Sequence, residues 1–460
     1  MSTPSHLDWL FLRFREALDR DFMIWDDRPF SYRWLLDRTG AWDGLMENQD
    51  IRQGSIVALE GSYCPESVAA LLSLVDRGAI LVPLTEAMAV HRAEFLDIAQ
   101  VQYLLSFHGG QAGPRTPMNR DVTHPLLLGL AGQGDPGLIL FSSGSTGRSK
   151  AALHNFRLLL EKFKTARPSL VTLAFLLFDH LGGINTLLHI LSNPGTLVTA
   201  ASQKPDDACT AIERHGVELL PTSPTFLNLL LISEAYRRHD LSSLRKVTYG
   251  TEVMTEQTLD RLRDVLPHAV FQQTYGLTEI GILRTRSRSS DSLWLEVGGE
   301  GYETQVRDGT LWIRARSAML GYLNAPSPID EHGWLNTGDA VEVDGSYIRI
   351  LGRKSEIINV GGQKVFPAEV ESFLQRMENV RDVSVRGETN PITGQVVVAA
   401  FNLMEPEELS RLRRRTREFC RTRLAAYKIP ARIEIVTADQ HNWRFKKMRH
   451  PLKRAERPSP

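Results

Sequence analysis

Short continuous apolar runs alternate with helical spacings as far as residue 279. Leu7, Leu10, Phe11, Phe14 and Leu18 recur at helical intervals, whereas Ser55–Leu59, Ile80–Leu84 and residues 103–106 read as buried strands. Between them a helix is expected over Pro65–Asp76, with Pro65 suited to its first turn and Gly78 to its stop. Another is expected near 87–98. This alternation predicts βαβ units around a parallel sheet. The Gly/Pro-rich polar stretch 110–136 reads as a surface loop. Beyond it come a helix over 156–165, capped by Asn155, an apolar strand at 170–177 and a strand–helix pair over 196–215. Residues 219–225, 246–252 and 270–279 each read as a strand that ends in polar residues. Ligands of open α/β sheets sit beyond the carboxyl ends of strands, so these ends are expected to converge on one crevice.

From about residue 294 the rhythm shortens. Strands at 310–315 and 346–351 are flanked by the tight-turn pairs Asp308-Gly309 and Asp344-Gly345. The charged, turn-like Gly352–Glu356 marks an expected boundary between a large domain, 1–353, and a small one, 354–460. The latter reads as α+β: helix 368–377, strands 382–386 and 395–401, helix 407–425, strand 431–436 and a basic tail.

One stretch departs from both rhythms. The apolar run Leu138–Phe141 breaks into Ser142, Ser143, Gly144, Ser145, Thr146 and Gly147, closed by Arg148 and Lys150. Glycines let backbone N–H groups approach an anion, hydroxyls add donors, and Lys150 adds charge. A polyphosphate-binding loop is the functional reading, and a Gly/Ser surface turn the structural one. It is not a Walker loop: two residues separate its glycines, and its lysine follows three positions later.

Composition narrows the classes. Hydrophobic content of 42% and charged content of 23% are ordinary for a soluble globular chain of 460 residues. Lys+Arg and Asp+Glu both number 54, so charge gives no sign of nucleic acid. Cys64, Cys209 and Cys420 are scattered, which fits a reducing compartment and no zinc site. Asp8, Arg13 and Arg15 interrupt the first apolar segment, unlike a signal peptide, and Leu170–Phe178 is too short to span a bilayer. A cytoplasmic protein with no membrane partner is expected.

Tyr275-Gly276-Leu277-Thr278-Glu279, Thr337-Gly338-Asp339, Gly352-Arg353 and a late lysine segment follow the Ser/Gly loop in order. In this the chain resembles the adenylate-forming enzymes: acyl- and aryl-CoA synthetases, peptide-synthetase adenylation domains and firefly luciferases. The resemblance runs from roughly residue 30 to 453. It implies a large N-terminal domain of two stacked α/β subdomains plus a short-stranded β region, followed by a small mobile α+β domain. It implies ATP and Mg²⁺ as requirements, a small carboxylic acid as substrate, and CoA or a phosphopantetheine arm as acceptor. An acyl carrier protein is the partner implied by the latter.

The implied roles are chemically reasonable. Tyr275 would stack on adenine. Gln273, Thr274, Gly276 and the backbone of Gly250, Thr251 and Glu252 would frame the nucleotide. Thr278 would meet the α-phosphate, and Glu279 would hold Mg²⁺ through hard oxygen. Asp339, an acceptor when ionised, would take the ribose hydroxyls, with Arg353 beside it. In Phe445-Lys446-Lys447-Met448-Arg449-His450-Pro451-Leu452, aligning Arg449 and Leu452 selects Lys446 as the adenylation lysine, with Lys447 its rival. Phe445 replaces the family's usual glycine. Ser355 falls at the hinge position, and Gly361-Gly362 resembles the loop lining a pantetheine channel.

His180 resembles the residue that gates the acid carboxylate. The expected acid pocket comprises His180, Thr222, Ser223, Thr251, Thr274 and Gly281. A different register would align Phe178-Asp179 with the pair that holds an α-amino group, but Leu181 stands where that pattern continues with serine. An aromatic or unsaturated acid without an α-amino group is therefore expected. The arginines of 411–423 read as a solvated face, or alternatively as a dock for a carrier domain. Two other readings stay open: the same adenylation on another oxyacid such as nitrite or with an amine acceptor, and a non-catalytic nucleotide-binding regulator.

Overall fold

In the computed structural model, residues 5–118, 120–143 and 149–437 are described. The strands Ile56–Glu60, Ile80–Leu84, Tyr103–His108 and Gly137–Ser143 run parallel in an eight-stranded sheet. Alternate residues of these strands face two cores. Val57, Leu59 and Leu81 pack with the helices Tyr32–Asn48, Pro65–Asp76 and Leu181–Ser192, while Ile56, Ala58, Ile80 and Val82 pack on the opposite side. Burial on both faces is what turns the expected alternation into continuous apolar runs.

A second sheet of seven strands lies across the shared core. Its strands Val171–Leu173, Thr196–Val198, Leu219–Thr222, Lys246–Tyr249 and Val270–Gln273 are all parallel, and Asp21–Trp25 continues that direction. The third sheet is antiparallel, with Tyr302–Arg307, Thr310–Ala315, Trp334–Asp344 and Tyr347–Arg353 as its main strands. Asp308 and Gly309 both take positive φ, +49° and +67°, as the expected tight hairpin requires. After Arg353 a short 3-10 turn, Lys354–Glu356, leads into a smaller α+β domain. There Ile358–Val360, Val380–Asn390, Gly394–Leu403 and Arg432–Ile435 form a sheet with Gln363–Val365, packed by the helices Pro367–Leu374 and Leu409–Arg421. The fold is thus the α/β architecture expected, a large N-terminal domain and a smaller C-terminal one. No helix among the described residues is long and apolar enough to cross a membrane.

Four expectations need correction. The stretch 110–136 is not a plain loop: it holds two short strands and the helix Pro125–Gln133. Pro125 occupies the helix's first turn, where its missing N–H costs nothing, His124 caps it, and Gly134 ends it at φ +77°. The strand expected at 170–177 stops at Leu173, because Phe175–Asp179 turn out of the sheet toward the next helix. There a Cβ on Gly183 would lie 1.9 Å from the Leu177 carbonyl oxygen, so only glycine admits this close approach. The helix over 156–165 is shorter, Phe156–Leu160 with one 3-10 turn after it. Finally, Leu219–Thr222 does not run into a loop; Ser223 directly caps the helix Pro224–Ser233.

Candidate active site

Three parallel strands of the second sheet end level with one another. Thr222 pairs with Tyr249, and Tyr249 with Gln273, so the segments starting at Ser223, Gly250 and Thr274 leave the sheet side by side. Their ends are tied together. Gly250 N donates to Thr222 O at 3.4 Å, Thr274 N donates to Tyr249 O at 2.7 Å, and Thr225 Oγ1 donates to Glu252 Oε2 at 2.6 Å. A Cβ on Gly250 would meet Thr274 Oγ1 at 2.5 Å. Thr251 takes φ +72°, a region costly for a β-branched residue and typical of functional turns. Among the described residues, Gln273 Oε1 and Thr222 Oγ1 are buried without a hydrogen-bond partner. Each is a polar atom that a ligand would satisfy.

From these ends the chain makes a small hairpin, Gly276-Leu277 against Gly281-Ile282, with Thr278, Glu279 and Ile280 at its tip. The strand Ser149–Asn155 holds this tip from one side. That strand returns antiparallel against Gly137–Ser143, with Ser142 opposite Lys150, so the Ser/Gly stretch joins two strands of a hairpin rather than a strand and a helix. Residues 144–148, which include Gly144, Ser145, Thr146 and Gly147, lie outside the described residues. Lys150 Nζ sits 5.2 Å from the centre of the Tyr322 ring, and Tyr322 Oη donates to Glu279. His154, four residues further on the same strand face, contacts the Thr278 carbonyl through Nε2 at 2.6 Å.

His154 is fully buried, and desolvation pushes its ring down to about 4 despite the Thr278 and Ser317 carbonyls and the Glu279 charge. It is therefore neutral at pH 7, with Nε2–H donating to the carbonyl. The unfolded chain takes up this proton near pH 6.5, whereas the folded chain resists until about 4. Stability contributed by His154 is thus present above pH 6.5 and lost as pH falls toward 4, by about 3 kcal/mol. Urea unfolding of His154→Gln should show a shallower loss between pH 6.5 and 4.5 than the parent; equal slopes would remove this account.

Tyr275 Oη donates to Asp339 Oδ2 at 2.5 Å, both residues being buried. Arg353 Nε lies 3.4 Å from the other oxygen of Asp339. The two are direct cross-strand partners in the third sheet, which is why two motifs separated in sequence share one carboxylate. Burial raises the Asp339 carboxyl; Arg353 and Tyr275 oppose this, while Glu356 and Glu279 add to it.

The remaining expected residues fall in different places. His180 caps the helix Leu181–Ser192, its Nδ1 accepting from Gly182 N at 3.1 Å. Asp179 beside it is buried and accepts from Thr85 Oγ1 at 2.9 Å, linking the two large sheets. Gly281 takes φ +93°, with Leu159, Tyr302 and Ser317 over it. Ser355 is exposed in the 3-10 turn after Arg353. Gly361 and Gly362, at φ +57° and +83°, form the turn between Ile358–Val360 and Gln363–Val365. Lys446 and Lys447 lie outside the described residues. Sequence reasoning missed His154 and Tyr322. The alternation Lys150, Ala152, His154 along one strand was a readable signal for the first; Tyr322 had none.

A model of the AMP-binding enzyme family matches residues 12–323, and one of the AMP-binding enzyme C-terminal domain matches residues 369–446. The chain is 32% identical to the Mycobacterium tuberculosis 3-[(3aS,4S,7aS)-7a-methyl-1,5-dioxo-octahydro-1H-inden-4-yl]propanoyl:CoA ligase, over 95% of each protein. It is 26% identical to an indoleacetate–CoA ligase of Aromatoleum aromaticum, over 90% of each. Among solved structures, an anthranilate CoA ligase in complex with anthranoyl-AMP shares the fold at a TM-score of 0.79 and 19% identity, over 97% of this chain and 95% of that one. Strand ends, hairpin tip and shared carboxylate therefore sit within a chain matched in both its parts, and it belongs to the AMP-binding enzymes of the adenylate-forming superfamily.

Proposed function

We propose that the protein is an ATP-dependent acid:CoA ligase for a ring-bearing carboxylic acid. A carboxylate oxygen bonds to the α-phosphorus of ATP as the bond from that phosphorus to the bridging oxygen breaks, giving acyl-AMP and pyrophosphate. The thiol of CoA then bonds to the acyl carbon, AMP departs, and the thiol proton passes to solvent. The observation that carries this reading is the Tyr275–Asp339–Arg353 set, its tyrosine and carboxylate buried and its arginine exposed, beside three level strand ends. It offers a ring face for adenine and an acceptor for ribose hydroxyls at one edge of the crevice.

In this reading the loop Ser142–Lys150 holds the leaving β- and γ-phosphates, and Thr278 meets the α-phosphate. Glu279, whose carboxylate Tyr322 orients, would hold Mg²⁺, an ion that favours hard oxygen ligands. When bound, the ion supplies charge neutralisation on the phosphates. Lys446 neutralises charge building at the reacting oxygens, and Lys447 is its rival. His180 gates a pocket walled by Thr222, Ser223, Thr251, Thr274 and Gly281. Residues 354–460 turn about Ser355 between half-reactions, and Gly361-Gly362 then admit the pantetheine arm. A ring on a short acid chain is the shared feature of the acids named for the two ligases above, and the first of these carries two oxo groups on its ring.

Acid-dependent exchange of labelled pyrophosphate into ATP, run over ring-substituted acetic, propanoic and acrylic acids, tests this. Exchange with at least one of them, followed by thioester when CoA is added, is expected. ATP binding without exchange for any acid would instead favour a regulator. Exchange followed by amide or carrier-bound product, but no CoA thioester, would move the acceptor and keep the chemistry.

A further inference from the structure

The Leu181–Ser192 helix is buried along most of its length, but Asn185 and His189, four residues apart on one side, are only partly so. Lys162 meets this side from the 3-10 turn Glu161–Phe163. Its Nζ donates to Asn185 Oδ1 at 2.5 Å and to the Ile282 carbonyl at 2.8 Å. It thus bridges the helix that His180 caps to the strand carrying Gly281, the two elements that bound the expected acid pocket.

The charge around Lys162 is one-sided. Among the described residues no carboxylate pairs with it, and the charges that act on it, Arg167 and Arg284, are positive. Desolvation, aided by these two charges, pushes it down to about 7. The same surroundings, Arg167, Lys246 and Lys162, help hold His189 down to about 4. By contrast, Arg157 is paired with Asp135 and Arg38 with Glu66. An ammonium has three donors, and two are spent on Asn185 and Ile282. A neutral amide would make those two contacts without the cost of a buried charge.

We propose that Lys162 determines acid specificity, giving its third N–H to an oxygen, ketone or second carboxylate, that the substrate carries remote from its reacting carboxylate. This rests on the ligase reading above.

The test is pyrophosphate exchange with three matched acids on one ring: without a second oxygen function, with a ketone, and with a second carboxylate. The parent enzyme should favour at least one oxygenated acid over the plain one by roughly 10–100-fold in kcat/KM, carried mainly by KM. Preference for the ketone or for the diacid identifies which oxygen is read. In Lys162→Gln, whose amide has two donors for Asn185 and Ile282 and none to spare, that ratio should collapse toward one. Equal kcat/KM for all three acids in the parent enzyme overturns the proposal without any variant, as does a preference that persists in Lys162→Gln. Absence of exchange with every acid would instead strike the ligase reading itself.

Discussion

Lys446→Ala is expected to slow acid-dependent pyrophosphate exchange by ~10²–10³-fold, the cost of removing one preorganised charge from a transition state. Conversion of preformed acyl-AMP to thioester by the same variant should be nearly unaffected. The expectation rests on charge. ATP brings a polyanion to a crevice that already holds Glu279 and Asp339, and the acid adds another negative group. In the proposed reading Lys150 beside Tyr322 serves the leaving phosphates, Arg353 attends Asp339 and Lys162 reads the remote end of the acid, so none of the three serves the reacting oxygens. The bond-making step therefore calls for a further cation, and the family resemblance, with Arg449 and Leu452 in register, implies Lys446 over Lys447. Loss of exchange in Lys447→Ala, with Lys446→Ala active, would shift the register by one residue.

Asp339→Ala is expected to weaken ATP binding by roughly 10²-fold, as loss of charge-assisted hydrogen bonds of about 1.5–3 kcal/mol would do. Two effects combine. The ribose loses its acceptor, and the buried Tyr275 hydroxyl loses the carboxylate it donates to. Asp339→Asn keeps an oxygen toward Tyr275 and should lose closer to tenfold. Equilibrium ATP binding and the KM for ATP in exchange should move together. An ATP affinity within threefold of the parent in Asp339→Ala would remove the ribose role.

The parallel strands were legible because burial on both faces leaves an unbroken apolar run, and Ile80–Leu84 falls where that run predicts. The link between Asp339 and Arg353 was legible as a spacing, and a hairpin that makes the two residues direct partners explains it. The helix Pro125–Gln133 was hidden because Pro125, Gly129 and Gly132 imitate a loop while only Leu127 and Leu130 are buried. His154 and Lys162 meet partners more than a hundred residues away, and Tyr322 one 43 residues away; the strand alternation marks the face of His154 but names none of these partners.

The strand Ser149–Asn155 works as a ruler. Lys150 and His154 stand on one face about 13 Å apart, and between them they fix two consecutive residues, Glu279 through Tyr322 and Thr278 through its carbonyl. A slip of one residue in this hairpin would carry both to the opposite face together. In the proposed reading, fidelity in the pairing of these two strands would thereby set how far apart the two ends of a triphosphate are gripped.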